Sequence, residues 1–260
     1  MDADALWRRF AAHLARLYAG AADPTVERGS GWLALLSNQP HTDVNLCVLL
    51  SDATRRSSED LVRLFERAGV PGAVSVSSAL DDGAVEPLRA AGFVPAPLSE
   101  PLMWLASRPP RGGSEFDVRR VETDDELVRA IDVAAEAHGI ERGLLTRLLT
   151  REVHADEDIT TWIAWSGEEA ASVAWVTLDS QVGVWQMMTS PRHRRRGAGR
   201  ATLTTALDEL WNDETEGAFL WASPAGRPLY ERVGFTVVDE RRVWVLGGDE
   251  AANVAIGHPV

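Results

Sequence analysis

Five arginines crowd one nine-residue stretch of this sequence, Arg192, Arg194, Arg195, Arg196 and Arg200, interleaved with Gly197 and Gly199. An apolar segment runs into Pro191 just before them, and a segment with helical spacing follows from Gly199 to about Asn212. Residues of these types in this order suit an anion, above all a phosphate. Glycines let the backbone approach closely, and the unpaired N–H groups of a helix's first turn point at the charge with the dipole behind them. Arginine forks add charge-assisted hydrogen bonds. There is no Gly-Lys-Ser/Thr, which excludes a Walker loop, and Gly197-Ala198-Gly199-Arg200-Ala201-Thr202 lacks the third glycine of the dinucleotide fingerprint. What remains, Arg194-x-x-Gly197-x-Gly199, is by itself a weak pattern that a plain solvated turn also satisfies.

The surroundings make that cluster informative. The 260 residues carry 26 basic and 39 acidic side chains, a net charge of −13, and every basic residue is arginine. An acidic chain does not bind nucleic acid or an anionic membrane through bulk charge, and it suits a cationic partner. An anion at the arginine cluster must therefore be held by local chemistry. With 45% apolar and 25% charged residues the composition is that of a globular protein. Cys47, the single cysteine, lies in the apolar run Val44 to Leu50 and reads as a buried strand residue. The six histidines have no ligand spacing, so no metal site is expected. No signal-peptide pattern opens the chain and no apolar run approaches ~18 residues, so the expected location is the cytoplasm.

The elements that position the cluster fall into two halves. A Pro/Gly/Ser stretch, 107–115, predicts a linker between a domain over 1–106 and one over 116–248, with 249–260 a flexible tail. Split at residue 113, the first part has 11 basic and 13 acidic residues (−2) and the second 15 and 26 (−11). In the second part the patterning predicts a strand at Phe116 to Val121, a helix capped by Thr123 with Glu126 and ending near His138, and a helix from Arg142 to about Val153. Strands at Ile159 to Trp165, Ala171 to Leu178 and Val182 to Met188 follow, then the arginine turn and its helix. A strand at Ala218 to Ala222, a short helix from Pro224 to Val233 and a last strand or hairpin from Phe235 to Leu246 complete it.

The first part repeats this plan more thinly, with helices at Ala3 to Tyr18, Ser58 to Ala68 and Gly83 to Ala91. Its strands fall near Trp32 to Leu36, Val44 to Leu50 and Ala73 to Ser77, with a last one ending at Leu105. Superposing Gly92-Phe93 on Gly234-Phe235 aligns Leu88 with Tyr230 and leaves Trp104 and Trp244 in matching apolar strands. The chain reads as a diverged tandem repeat.

The strand before the arginine turn, the helix after it, and Trp221-Ala222-Ser223 followed by Leu229-Tyr230-Glu231-Arg232-Val233-Gly234-Phe235 together resemble the GNAT superfamily of acetyl-CoA-dependent N-acetyltransferases. The resemblance covers roughly residues 116 to 246, and the first half looks like the degenerate amino-terminal domain of two-domain members. It implies an α/β (α+β) fold of two tandem GNAT-like domains, each a mixed, mostly antiparallel twisted sheet flanked by helices. It also implies an enzyme that moves an acetyl or small acyl group to a primary amine by direct attack on the thioester, with acetyl-CoA as donor and coenzyme A as product.

Carried over residue by residue, the resemblance makes Met187, Met188 and Thr189 the strand that pairs with the pantetheine arm, near a bulge. Arg194, Arg195, Arg196, Gly197, Ala198, Gly199, Arg200 and Ala201 would hold the pyrophosphate. Ser223 would flank the thioester. Tyr230 would be the general acid that protonates the leaving thiolate; a packed aromatic with another hydroxyl partner is the alternative. No covalent nucleophile is required, because a positioned amine can attack directly.

Members that use a carboxylate base often carry it on the strand before the arginine turn, where Gln181-Val182-Gly183-Val184-Trp185-Gln186 has none. Glu136 or His138, Glu152 or His154, or a water chain are the candidates for the proton's exit, each also readable as a surface residue. The first half has Ser51 to Ser58 at its corresponding turn, without glycine, and Leu88 for the tyrosine, so it is expected to be structural. The acceptor is a small-molecule or peptide amine, and the acidic domain suits a cationic one such as an aminoglycoside, polyamine or basic peptide. The expected state is a monomer or homodimer with no nucleic-acid or membrane partner. Two alternatives stay open: a non-catalytic acyl-CoA-binding regulatory or scaffold module, and acyl transfer in small-thiol biosynthesis.

Overall fold

The computed structural model describes residues 1–110 and 113–246. The tail expected at 249–260 lies outside the described residues, as do Arg111 and Gly112 of the expected linker. The first half runs α1 (Ala3–Ala19), β1 (Thr25–Gly29), β2 (Trp32–Leu36), β3 (Asn45–Leu49), α2 (Arg55–Ala68), β4 (Ala73–Ser77), α3 (Asp81–Ala90) and β5 (Phe93–Leu105). The second runs β6 (Asp117–Arg120), α4 (Asp124–His138), α5 (Arg142–Leu148), α6 (Arg151–Ala155), β7 (Ile159–Ser166), β8 (Glu169–Leu178), β9 (Gln181–Thr189), α7 (Ala198–Leu210), β10 (Gly217–Trp221), α8 (Arg227–Val233) and β11 (Thr236–Leu246).

Local chemistry accounts for most boundaries. The Thr123 and Glu126 side chains form the capping box at the start of α4, and Gly139 in the left-handed region, φ +77°, stops it. The helix predicted over 142–153 is two helices, because Thr150 Oγ1 accepts from the Val153 amide and begins a new one, α6. β1 has no counterpart in the sequence reading: Thr-Val-Glu-Arg-Gly is a polar edge strand whose pattern carries no apolar alternation.

The chain forms two compact units, one of residues 1–102 with 237–246 and one of residues 103–236. In the first, the strand order is β1-β2-β3-β4-β11-β5, with β3 and β4 parallel and the β1–β2, β2–β3 and β4–β11 pairs antiparallel. In the second, the end of β5 lies beside β10, followed by β9, β8, β7 and β6, with only β9 and β10 found parallel. Each unit is therefore a mixed, mostly antiparallel sheet flanked by helices, as the resemblance implied.

The boundary expected at 116–248 is corrected in one respect: the repeats exchange their final strands. Arg241–Val245 of β11 pairs with Ser77–Ala73 of β4 in the first unit. Met103–Leu105 of β5 belongs to the second, where the Trp104 ring fills the space over Gly217; a Cβ there would stand 2.1 Å from it. Trp244 is accordingly buried in the first unit's core with Leu61, Phe65, Val76, Leu88 and Phe93. The second unit's core joins Leu203 and Leu207 of α7 to Val182 and Val184 of β9, Leu220 of β10 and Tyr230 of α8.

Candidate active site

The site is built where β9 leaves the regular sheet. Val173 pairs with Met188 but Trp175 pairs with Trp185, so Gln186 and Met187 together oppose Ala174, a β-bulge. Gln186 adopts φ +44° there. On the other edge, the parallel register with β10 covers only Gln181–Gly183 against Gly217–Phe219. The stretch Met187–Thr189 implied to pair with a pantetheine arm is thus the part of β9 that lies beyond that register.

After β9, a 3-10 turn at Pro191–His193 leads into the arginine turn, where Arg195 has φ +61° and Gly197 φ +93°. Gly197 is the N-cap of α7 and supplies no side-chain cap, so the first amides of the helix stay open to an anion. A Cβ at Gly199 would stand 3.0 Å from Thr189 Oγ1 and 3.4 Å from Met187 Cε, so the glycine permits a close approach of helix and strand. Ala198 and Ala201 are buried beside it, and the Ala201 amide is already committed to the Gly197 carbonyl at 2.9 Å. The corresponding turn of the first unit is closed: Thr54 and Ser57 form a reciprocal capping box at the start of α2.

The arginines divide by partner. Arg195 and Arg200 are exposed and make no ion pair among the described residues. Arg196 lies 4.0 Å from Glu115 and Arg192 3.9 Å from Glu136, both weak surface pairs. Arg194 turns inward: its Nη2 donates to the Ala137 carbonyl at 3.1 Å and its Nε to the Thr189 carbonyl at 3.4 Å. The side chain thus braces the end of α4 against the end of β9.

On α8, burial pushes the Tyr230 hydroxyl well above its ordinary range. The ring packs edge-on to Phe235 at 6.1 Å, and the hydroxyl makes no hydrogen bond among the described residues. A Cβ at Gly226 would stand 3.3 Å from Ser223 Oγ and 3.4 Å from the Tyr230 hydroxyl, which places both oxygens beside the Gly226 backbone. Ser223 Oγ accepts from the Gly226 amide at 3.1 Å.

β9 carries no carboxylate, and at Gly183 it has no room for one. A Cβ there would be 2.6 Å from Thr177 Oγ1 and 2.9 Å from Trp185 Nε1, because Trp185 Nε1 donates to Thr177 Oγ1 across that space at 2.6 Å. Among the candidates for proton exit, Glu136 lies at the arginine turn, where it accepts from Ser190 Oγ at 2.9 Å. His138, two residues on, is buried at the end of α4. Burial, and then the Arg120 charge, lower the His154 pKa, with Asp124 opposing. His154 lies in the last turn of α6. Backbone and Thr150 hydrogen bonds hold Glu152 below the usual carboxylate range in the first turn of α6. The resemblance implied a bulge near Met187; that it falls on Gln186, and the bond from Ser190 to Glu136, were not anticipated.

Among the described residues no helix is long and apolar enough to cross a membrane, and no group of His, Cys, Asp and Glu could hold a metal ion. A sequence profile described as Acetyltransferase (GNAT) domain matches residues 133–244. No curated protein matches the sequence. Solved structures with a similar fold include a GCN5-related N-acetyltransferase from Kribbella flavida, 14% identical with TM-score 0.72 over 94% of this chain and 97% of that one. Another from Sphaerobacter thermophilus is 13% identical, with TM-score 0.60 over 83% and 76%. A functionally unknown conserved protein from Staphylococcus epidermidis ATCC 12228 is 12% identical, with TM-score 0.60 over 86% and 94%. Residues 133–244 are an acetyltransferase (GNAT) domain, and the solved structures share the fold of the chain.

Proposed function

We propose that the second unit transfers an acetyl group from acetyl-CoA to a primary amine, in the cytoplasm, releasing coenzyme A. The observation that carries this reading is the uncapped start of α7 beside the β9 bulge, with the Tyr230 hydroxyl unpartnered nearby. The open amides of Ala198, Gly199 and Arg200 and the free forks of Arg195 and Arg200 suit a pyrophosphate and a further phosphate. Coenzyme A supplies a good thiol leaving group in activated acyl linkage. Met187 to Thr189 offer backbone groups to the pantetheine arm, and the Tyr230 O–H delivers its proton to the departing sulfur. The small-molecule or peptide amine attacks directly, with no acyl-enzyme. The first unit, with its capped turn and with Leu88 buried at the place of the tyrosine, plays a structural part.

Calorimetric titration with acetyl-CoA, followed by thioester consumption across an amine panel, tests the reading. Binding near the micromolar range with turnover of at least one amine is expected. Binding without turnover on any amine would leave an acyl-CoA-binding module, a reading that the filled space at Gly183 favours.

A further inference from the structure

We infer that Gln186 receives the acceptor and that the acceptor enters as a neutral amine of low basicity, its N–H donated to Gln186 Oε1 and its lone pair left for the thioester carbon. This rests on the acetyltransferase reading above and adds which residue holds the amine and which class of amine it takes.

Three observations converge on Gln186. Its backbone is in the left-handed region at the bulge, φ +44°, a conformation unfavourable for a non-glycine residue that persists where the surroundings impose it. Its side-chain oxygen Oε1 is buried and has no hydrogen-bond partner among the described residues. A buried acceptor left unmet is rare and unfavourable, and an N–H donor from a ligand satisfies it. Finally, the strand that carries Gln186 has no carboxylate, and the contact between Trp185 and Thr177 fills the space a side chain would take at Gly183.

The ionisable groups on the elements packed around this stretch do not supply a base at the bulge. β9 and β10 have no carboxylate, and the one on β8, Glu169, sits at the strand's start, 3.6 Å from His193. On α4, Glu136 is bonded to Ser190 and faces Arg192, and His138 is buried at the helix end. On α7, Arg200 lies in the first turn while Asp208, paired with Arg108, and Glu209 lie in the last; on α8, Tyr230 is accompanied by Glu231, which is paired with Arg227; and Arg194 is held by two carbonyls. The amine must then lose its ammonium proton to bulk water before it binds. The remaining steps balance without a further base. The nitrogen forms the amide bond to the acyl carbon as the carbon–sulfur bond breaks. The sulfur takes the Tyr230 proton, and the proton released by the new amide nitrogen returns to the tyrosinate through water.

Basicity then decides between acceptors. An α-amine with pKa about 8 is about two hundredfold richer in free base at pH 7 than an alkylamine near 10.4. The lower nucleophilicity of the weaker base offsets only part of that. The favoured class is therefore an amine of the amino-acid or peptide N-terminal kind over a polyamine.

The test measures kcat/KM for the full chain with acetyl-CoA and two probes, glycinamide and 1,5-diaminopentane, as a function of pH. The expected result is a rate that climbs with pH to each amine's own pKa, and glycinamide preferred by about tenfold or more at neutral pH. Gln186→Leu should lower kcat/KM for both probes about tenfold, with the acetyl-CoA Kd and the pH profile unmoved, and Gln186→Glu should shift the rising limb to lower pH. If Gln186→Leu does not fold, Gln186→Asn, one methylene short, should show the same loss. Turnover with a common enzyme-set break for both amines, or with kcat/KM unchanged in a folded variant, would overturn the inference alone. Acetyl-CoA binding with no turnover of these or any other amine would overturn it together with the acetyltransferase reading.

Discussion

The guanidinium of Arg194 donates to the carbonyl oxygen of Ala137 at 3.1 Å, so the first arginine of the turn caps the end of α4. That carbonyl belongs to the last turn of the helix, where acceptors lack partners within the helix and a positive charge is favoured by the dipole. Arg194→Ala should therefore lower stability by about 1 kcal/mol and raise the acetyl-CoA KM with little change in its salt dependence. The double substitution of Arg195 and Arg200 to Ala should leave the denaturation midpoint alone and flatten the salt dependence of the KM. Urea titrations and KM at low and high salt separate the two; a salt response lost in Arg194→Ala would show that its side chain faces phosphate.

Tyr230→Phe keeps the ring that packs on Phe235 and removes the proton donor. Turnover should fall by about 10²-fold, the lower end of general acid–base effects, while calorimetric acetyl-CoA binding persists. Because burial raises the hydroxyl pKa above its ordinary value near 10, the tyrosine stays protonated through pH 6 to 9. No falling limb in the pH–rate profile of the native chain should arise from it in that range. A descending limb below pH 9 that disappears in Tyr230→Phe would contradict this assignment.

A carboxylate placed at position 183 should not supply a base. In Gly183→Asp the new Cβ meets Thr177 Oγ1, Phe219 Cζ and Trp185 Nε1, all under 3.0 Å. A loss of about 1–3 kcal/mol in stability and no gain in kcat are expected, measured by thermal melting and by initial rates.

The exchanged strand is pinned by a buried ion pair. Arg241 of β11 donates to Glu100 of β5, and its Nε donates to Ser75 Oγ of β4 at 3.0 Å, both charged side chains being almost fully buried. Arg241→Ala leaves the Glu100 carboxylate buried without its arginine and should cost about 3–5 kcal/mol, whereas joint replacement by Arg241→Met and Glu100→Leu should come close to the native stability. Denaturant unfolding of the three chains checks the order. Equal losses in the single and double variants would mean that the pair holds the strand by shape alone.

The spacing of arginines and glycines, the capping box at Thr123, and the matching of Leu88 with Tyr230 were all legible in the sequence, because each depends on neighbours within a few positions or on a repeat. Local chemistry also fixes the contrast between the open turn at Gly197 and the capped one at Thr54, since a side-chain oxygen either stands at the N-cap or does not. Tertiary structure decided three things that no local pattern encodes. The direction of the Arg194 side chain depends on the end of α4, fifty-seven positions away in the chain. The bulge that strains Gln186 is a mismatch of register between two strands. The burial of Trp244 among α2, α3 and β4 depends on β11 pairing with β4, two strands far apart in the chain, and alternation of apolar residues says which face of a strand is buried but not which strand it pairs with.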